Sequence, residues 1–177
     1  MAGNGLLTIS VNISAIEFDQ VSLLRSVSQV LTETGIPVEM LELEISESIL
    51  MQDVEKSLQV LRSFKDLGIK IALDNFGSSY SSLRYLKDFS IDILKIDRSL
   101  IHAMIANPDS SVMVSTMIGL ANQLDIPVQA VGVETKEQFD FLHQLGCQRA
   151  QGYLFSKPKR AQDVLQFLAQ RRTGTLA

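Results

Sequence analysis

Carboxylate, amide and ammonium side chains recur in this sequence at or just after short runs of β-branched residues. These candidate site residues are Asn12, Glu44, Glu47, Asp74, Lys95, Asp97, Glu134 and Gln151. In folds built from parallel strands, the carboxyl ends of the strands form one rim, and functional sites lie on that rim. Side chains that are tens of positions apart in the sequence are therefore expected to meet there.

The chemistry that this set predicts is an acidic site able to bind a divalent metal ion. Asn12, Glu44 and Asp74 offer hard oxygen ligands of the kind that Mg²⁺ or Mn²⁺ prefers. Lys95 and Asp97 alternate along one run, so both side chains are expected on one face of a strand, where the lysine offsets phosphate or carboxylate charge. The competing interpretation is local, because an acid at the end of a strand is often a helix N-cap.

Six apolar, β-branched runs alternate with stretches of helical periodicity. The runs cover residues 6–13, 41–45, 69–73, 91–96, 128–133 and 150–155, and the helical stretches cover about 16–34, 52–67, 81–87, 108–124, 136–145 and 158–170. Six strand–helix units predict an α/β fold whose parallel sheet is apolar on both faces and has right-handed crossovers. An open doubly wound sheet and a (β/α) barrel both satisfy this pattern, and a complete barrel has eight such units.

Length and composition exclude several classes of protein. The 177 residues, 46% hydrophobic and 20% charged, suit one globular domain, expected at 1–170 and followed by a flexible tail at 171–177. A formal charge of −4 with acids and bases interspersed leaves no basic face for long nucleic acid. The absence of a long apolar run argues against direct membrane insertion. A single cysteine, Cys147, and the lack of a secretory signal predict a cytoplasmic protein.

Six sequence blocks stand at or near the ends of the predicted strands. They are VNIS at 11–14, LEISES at 43–48, DNFGSSYSSL at 74–83, LKIDR at 94–98, GVET at 132–135 and QGYLFSKP at 151–158. In order and spacing they resemble the blocks of the EAL family of cyclic di-GMP phosphodiesterases, whose loop reads DDFGTGYSSL and whose next block reads LKIDR. The resemblance extends from about Leu6 to Phe167. It implies a TIM-type (β/α) barrel of the EAL family, of which this chain carries about six of eight units.

The resemblance implies metal-dependent hydrolysis at the strand ends. Asn12, Glu44 and Asp74 correspond to ligands of the first divalent ion, and Asn75 stands at the neighbouring ligand position. The ions expected are Mg²⁺ or Mn²⁺. In this family, two metal ions support hydrolysis of one phosphodiester bond of cyclic di-GMP to give linear pGpG, because they polarise the phosphate and acidify the attacking water.

Four further residues take roles from the same resemblance. Lys95 corresponds to the residue that supports the phosphate and the second metal site. Glu134 and Gln151 correspond to residues that position water and ligand. Glu47 corresponds to the residue that holds the loop after the third strand, which in this family links the metal site to dimerisation.

The sequence departs from the family pattern at positions on which hydrolysis depends. Asn75 replaces an aspartate, and its amide oxygen is a neutral and weaker ligand. Val131 replaces a glutamate that in this family is thought to bind metal and activate water, and valine can neither ligate nor accept a proton. Ser79 replaces a loop glycine, which restricts the turn. The Glu-Ala-Leu segment, whose glutamate is a metal ligand, does not occur in the sequence.

These departures predict a degenerate cyclic di-GMP phosphodiesterase domain with weak or no hydrolysis, which binds cyclic di-GMP or a protein partner in signalling. One alternative is an active metal-dependent phosphodiesterase whose N-terminal part lies outside this chain. The other is a protein-interaction module that binds no nucleotide. Six units also leave sheet edges exposed, so a homodimer partner or other domains of a longer protein are expected to cover them.

Overall fold

The structure is a computed structural model, and it describes residues 7–20, 22–77 and 85–172. Three predictions lie wholly or partly outside these residues. They concern the effect of Ser79, the first residues of the helix expected at 81–87, and most of the tail at 171–177. In the part of the chain that is described, no helix has both the length and the hydropathy to cross a membrane.

Six parallel strands form one sheet in which each strand pairs with the next strand in the sequence. The strands are β1 (Ile9–Ile13), β2 (Leu41–Ser46), β3 (Lys70–Phe76), β4 (Ile93–Ile96), β5 (Val128–Val131) and β6 (Arg149–Gln151). Every predicted run thus overlaps a strand, but β3 continues to Phe76, and β6 shares only Ala150 and Gln151 with the run predicted at 150–155. The consecutive order has no point of reversal, whereas a doubly wound sheet requires one. The order therefore favours the barrel over the open sheet.

The sheet is strongly curled. Nη1 of Arg149 on β6 lies 3.5 Å from Oε2 of Glu42 on β2, four strands away. In a flat sheet, strands about 4.8 Å apart would separate these two backbones by roughly 19 Å. The α/β fold is thus a partial (β/α) barrel whose inner face closes around its own side chains.

Nine α-helices and one 3₁₀ turn (Val38–Met40) are assigned within the described residues. The helices are α1 (Ala15–Phe18), α2 (Leu23–Thr34), α3 (Glu47–Leu50), α4 (Val54–Asp66), α5 (Tyr85–Asp88), α6 (Arg98–Ala103), α7 (Pro108–Gln123), α8 (Lys136–Gln144) and α9 (Ala161–Arg172). The prediction of one helix over 16–34 was wrong, since α1 ends at Phe18 and α2 begins at Leu23. The short helices α3 and α6 were not predicted.

The two faces of the sheet differ in polarity. On β2, Leu43 and Ile45 are buried in the core that the outer helices cover, while Glu42 and Glu44 are buried on the inner face. The prediction that the strands are apolar on both faces was therefore wrong for β2. Strand β1 is exposed along most of its length, including Ile9.

Candidate functional site

The carboxyl ends of β1, β2 and β3 bring predicted site residues together. Asn12 on β1 is the register partner of Glu44 on β2, and Ser46 at the end of β2 is the partner of Asp74 on β3. Register partners on neighbouring strands share one face of a sheet. Three residues from distant parts of the sequence therefore stand on adjacent strands of the inner face, as the sequence predicts.

A buried lysine lies between two carboxylates at the centre of this rim. The Lys95 ammonium contacts Oε2 of Glu44, and Nζ of Lys95 lies 3.9 Å from Oδ1 of Asp74. The Lys95, Glu44 and Asp74 side chains are only 4%, 8% and 20% exposed. Two carboxylates against one ammonium leave an excess negative charge in a partly dehydrated place, and such a place favours a further cation.

Burial raises the pKa of Asp74 above its ordinary value of 3.8. The Lys95 ammonium and the backbone N–H of Asn75 act in the opposite direction but are the smaller effects, and the nearby carboxylates of Glu44 and Asp97 raise the pKa further. The folded chain therefore keeps a proton on Asp74 at pH values at which the unfolded chain has released it.

We expect the contribution of Asp74 to the free energy of unfolding to fall as the pH rises above 3.8. In that range the folded chain binds more protons at this carboxyl than the unfolded chain, so increasing pH favours unfolding. The D74N variant lacks this dependence. In EDTA, its free energy of unfolding, relative to that of the unaltered chain, should rise as the pH increases above 3.8.

Urea denaturation at each pH measures the difference. D88N changes an exposed carboxyl on α5 and serves as the matched control. A difference between D74N and the unaltered chain that is the same at every pH would contradict the assignment.

The two predicted amide ligands occupy different settings. Asn12 is exposed beside Glu44. Asn75 has a φ of 57°, where the pairing of β3 with β4 changes register, so the strand alternation ends at this residue. Asn75 adopts this left-handed conformation at lower cost than most residues. The structure thus explains how the backbone tolerates Asn75, and its role as a ligand stays a prediction.

Oxygen donors stand on adjacent strands of this rim, but no group of three acidic, histidine or cysteine side chains that could hold a metal ion is found among the described residues. The available donors are the carboxylates of Glu44 and Asp74 and the amide of Asn12. This oxygen-only set fits the preference of Mg²⁺ or Mn²⁺. Three protein ligands for such an ion are available only if the side-chain amide of Asn12 is one of them.

Strand β5 places an apolar side chain on the rim. Val131 ends β5 and is the register partner of Gln151, which ends β6. Gln129, two residues earlier on the same face of β5, donates from Nε2 to Oε1 of Gln151 at 2.8 Å. Gln129 thus fixes the orientation of the Gln151 amide. This role was not recognisable from the sequence, because it depends on the register of β5 and β6.

Glu134 lies just after β5 in a loop that packs against α6. Oε1 of Glu134 lies 3.4 Å from Nε2 of His102, and the backbone N–H of Glu134 donates to Oε1 of the buried Gln138. The loop approaches α6 closely at Gly132, where φ is 85° and a Cβ would lie 2.8 Å from Cβ of Arg98. His102 on α6 therefore lies next to a predicted site residue, a position that the sequence did not indicate because α6 was not predicted.

The remaining predicted residues, Glu47 and Asp97, both stand where a strand is followed by a short helix. Glu47 is buried as the first residue of α3, directly after β2. Asp97 lies beyond the end of β4 and caps α6, where its Oδ1 accepts the backbone N–H of Ser99 at 2.8 Å. The local interpretation of an acid as a helix N-cap is thus correct for Asp97. Its carboxylate is nevertheless close enough to Asp74 to raise the pKa of that carboxyl, and the prediction that it faces the same side as Lys95 stays a prediction.

Comparison with known proteins agrees with this architecture. The model of the EAL domain family matches residues 1–158. Cyclic di-GMP phosphodiesterase NbdA of Pseudomonas aeruginosa is 36% identical over 172 residues, which are 97% of this chain and 22% of NbdA. The chain spans about a fifth of the length of the curated relatives it matches.

Solved structures resemble this chain throughout most of its length. The complex of the PaMucR phosphodiesterase, from Pseudomonas aeruginosa, with c-di-GMP has a TM-score of 0.86 at 38% identity and covers 89% of this chain and 64% of that one. The manganese/c-di-GMP complex of Klebsiella pneumoniae BlrP1 has a TM-score of 0.79 at 26% identity and covers 85% of this chain and 39% of that one. Both similarities support the barrel assignment.

Proposed function

This chain belongs to the EAL domain family, and from that membership we propose that it binds cyclic di-GMP at the rim of its barrel with weak or no hydrolysis. The proposal combines two features. The first is a group of polar side chains suited to a phosphate and one divalent ion. The second is the loss of side chains that a second ion and an attacking water would need.

The observation that carries the proposal is the position of Val131. It ends β5 on the inner face, beside Gln151 and at the position for which the family resemblance implies a glutamate. A valine there neither binds a cation nor takes a proton from water. Asn75 weakens a second ligand position in the same way, because it replaces a carboxylate with a neutral amide.

The binding side of the proposal depends on Lys95 and its partners. Asn12, Glu44 and Asp74 would hold one Mg²⁺ or Mn²⁺, which when bound offsets phosphate charge. The Lys95 ammonium, which contacts Glu44 and lies 3.9 Å from Asp74, supplies a fixed positive charge next to these ligands. Gln151, oriented by Gln129, offers amide hydrogen bonds at the opposite side of the rim. Lys95 and Gln151 can both contact the ligand without a general base, so the loss of that base does not prevent binding.

Two kinds of relative support cyclic di-GMP as the ligand. NbdA is a cyclic di-GMP phosphodiesterase, and PaMucR is a phosphodiesterase seen in complex with c-di-GMP.

Because the relatives are much longer than this chain, we also propose that it acts beside other domains or in a dimer that covers the exposed β1. The alternative of an active phosphodiesterase is supported by the paired Lys95 and Glu44, which such an enzyme would share.

The test is to measure binding and turnover of cyclic di-GMP on one preparation with Mn²⁺. We expect calorimetric binding together with a turnover that is lower by at least about 10²-fold than that of the MucR phosphodiesterase domain, since losing one general base costs about 10²–10⁴ in rate. Turnover close to that of MucR would support the active alternative instead. A folded chain with neither binding nor turnover would support the protein-interaction alternative.

Restoring the two altered positions tests the cause of weak hydrolysis. We expect the double variant N75D/V131E to raise formation of pGpG by at least about 10²-fold. The control is V112E, which makes the same valine-to-glutamate change on the exposed surface of α7 and should leave turnover unchanged. Equal turnover of the double variant and the control would show that these positions are not what limits hydrolysis.

A further inference from the structure

Glu42 lies one layer below the rim and makes polar contacts with two other strands. It is 1% exposed. Its Oε1 accepts the hydroxyl of Ser10 on β1 at 2.8 Å, and its Oε2 lies 3.5 Å from Nη1 of Arg149 on β6. Strands β1 and β6 are the two ends of the six-stranded order. One buried carboxylate therefore joins both outermost strands of the sheet.

This contact set stands in a fixed relation to the candidate site. Each member precedes a rim residue on the same strand by two positions, and residues two apart share a face. Ser10 precedes Asn12, Glu42 precedes Glu44 and Arg149 precedes Gln151. Any change in the separation of β1, β2 and β6 in the lower layer is thus transmitted directly to the residues above it.

The lower layer is unusual for a barrel interior, which bulky branched side chains normally fill. An apolar layer adapts to small shifts, whereas a buried carboxylate is stable only while its partners remain within reach. The Arg149 side chain is 43% exposed and lies 3.5 Å from Glu42, so the pair contributes little net stability. Such a pair can still define which strands meet. A contact of this kind is suited to fixing the distance between strands.

We propose that Ser10, Glu42 and Arg149 form a polar clasp that fixes the curvature of the sheet and so positions Asn12, Glu44 and Gln151. In the absence of the clasp, β6 moves away from β2 while the outer helices still cover the core. The three residues are positioning residues and need not touch a ligand.

The curvature is measured as a distance between spin labels on β1 and just after β6. The labelled protein carries V11C and Y153C, both exposed positions, together with C147S, which removes the native thiol. In this background we expect R149A to lengthen or broaden the distance distribution by on the order of one strand spacing, about 5 Å. E42Q should have a similar effect, since it removes the charge but keeps the shape.

The variant R149K separates a clasp from a general packing role. The contact is made through one nitrogen only, so a lysine ammonium can replace it, and R149K should keep the distribution of the parent. K136A removes the surface pair with Asp140 on α8 and should also change nothing. If R149A does not fold while R149K does, the clasp is required for closure of the sheet. Identical distributions in R149A, R149K and the parent would overturn the proposal.

A second measurement links the clasp to the site and rests on the proposed function. We expect R149A to weaken cyclic di-GMP binding about tenfold and R149K to retain it. If the parent binds no cyclic di-GMP, the proposed function fails, but the spin-label distances still decide whether the clasp exists. If R149A opens the sheet and binds as tightly as the parent, the clasp does not position the site and that part of the proposal is wrong.

Discussion

Replacing Lys95 with methionine is expected to lower the free energy of unfolding by about 3–5 kcal/mol. The change keeps most of the side-chain volume but removes the ammonium that contacts Glu44 and lies 3.9 Å from Asp74. Both carboxylates are largely buried, so the variant leaves negative charges that neither water nor a cation compensates. Urea denaturation of the K95M variant in EDTA measures the loss.

The cause of this loss is tested by also removing the negative charge of Glu44. In the double variant K95M/E44Q, no charged side chain remains at the Glu44 position, so we expect part of the stability to return. The control is K136M, which breaks the exposed pair of Lys136 with Asp140 and should cost less than about 1 kcal/mol. A loss in K95M no larger than in K136M would mean that the Lys95 charge is not needed to offset these carboxylates.

The G152A variant is expected to lose about 3 kcal/mol or more of its free energy of unfolding. A Cβ at Gly152 would lie 2.1 Å from the backbone oxygen and 2.4 Å from the backbone nitrogen of Val133. These atoms belong to the loop after β5, and both the N–H of Val133 and the N–H of Gly132 donate to the carbonyl of Gln151. Neither backbone can yield without breaking these hydrogen bonds.

The control for this variant is G119A in α7. A Cβ at Gly119 meets nothing within 4 Å, so alanine should raise the free energy of unfolding by up to about 1 kcal/mol through its higher helix propensity. Thermal unfolding of both variants gives the comparison. Because Gly152 lies next to Gln151 and packs on the residue before Glu134, G152A should also lose cyclic di-GMP binding if it folds at all. Stability equal to that of the unaltered chain would contradict the close approach of the two backbones.

The sequence predicted those parts of the fold that depend on local pattern. Runs such as 91–96 and 128–133 are rich in Ile and Val and are separated by helical periodicity, so six strands and a parallel sheet followed from them. The short helix α6 was not predicted, because six residues are too few to show a helical period. Without α6, the contact between Nε2 of His102 and Oε1 of Glu134, 3.4 Å apart, was not predictable either.

The candidate site was predictable only in part for a similar reason. Asn12, Glu44 and Asp74 stand at strand ends, which is a position that the sequence reveals. The partners of these residues depend on the register and the curvature of the sheet, and the sequence does not reveal either of these. Gln129 was not recognised because its contact with Gln151 crosses from β5 to β6. The N-cap role of Asp97 depends on β4 ending at Ile96, one residue earlier, and the sequence pattern does not locate strand ends to within one residue.

The consecutive strand order also bears on how the chain folds as it leaves the ribosome. Each strand pairs with the one synthesised just before it, so every new unit finds its partner already available. The Glu42–Arg149 contact forms late, because 107 positions separate the two residues. Translation can therefore deliver a nearly complete sheet whose two ends are joined only after the sixth strand has emerged.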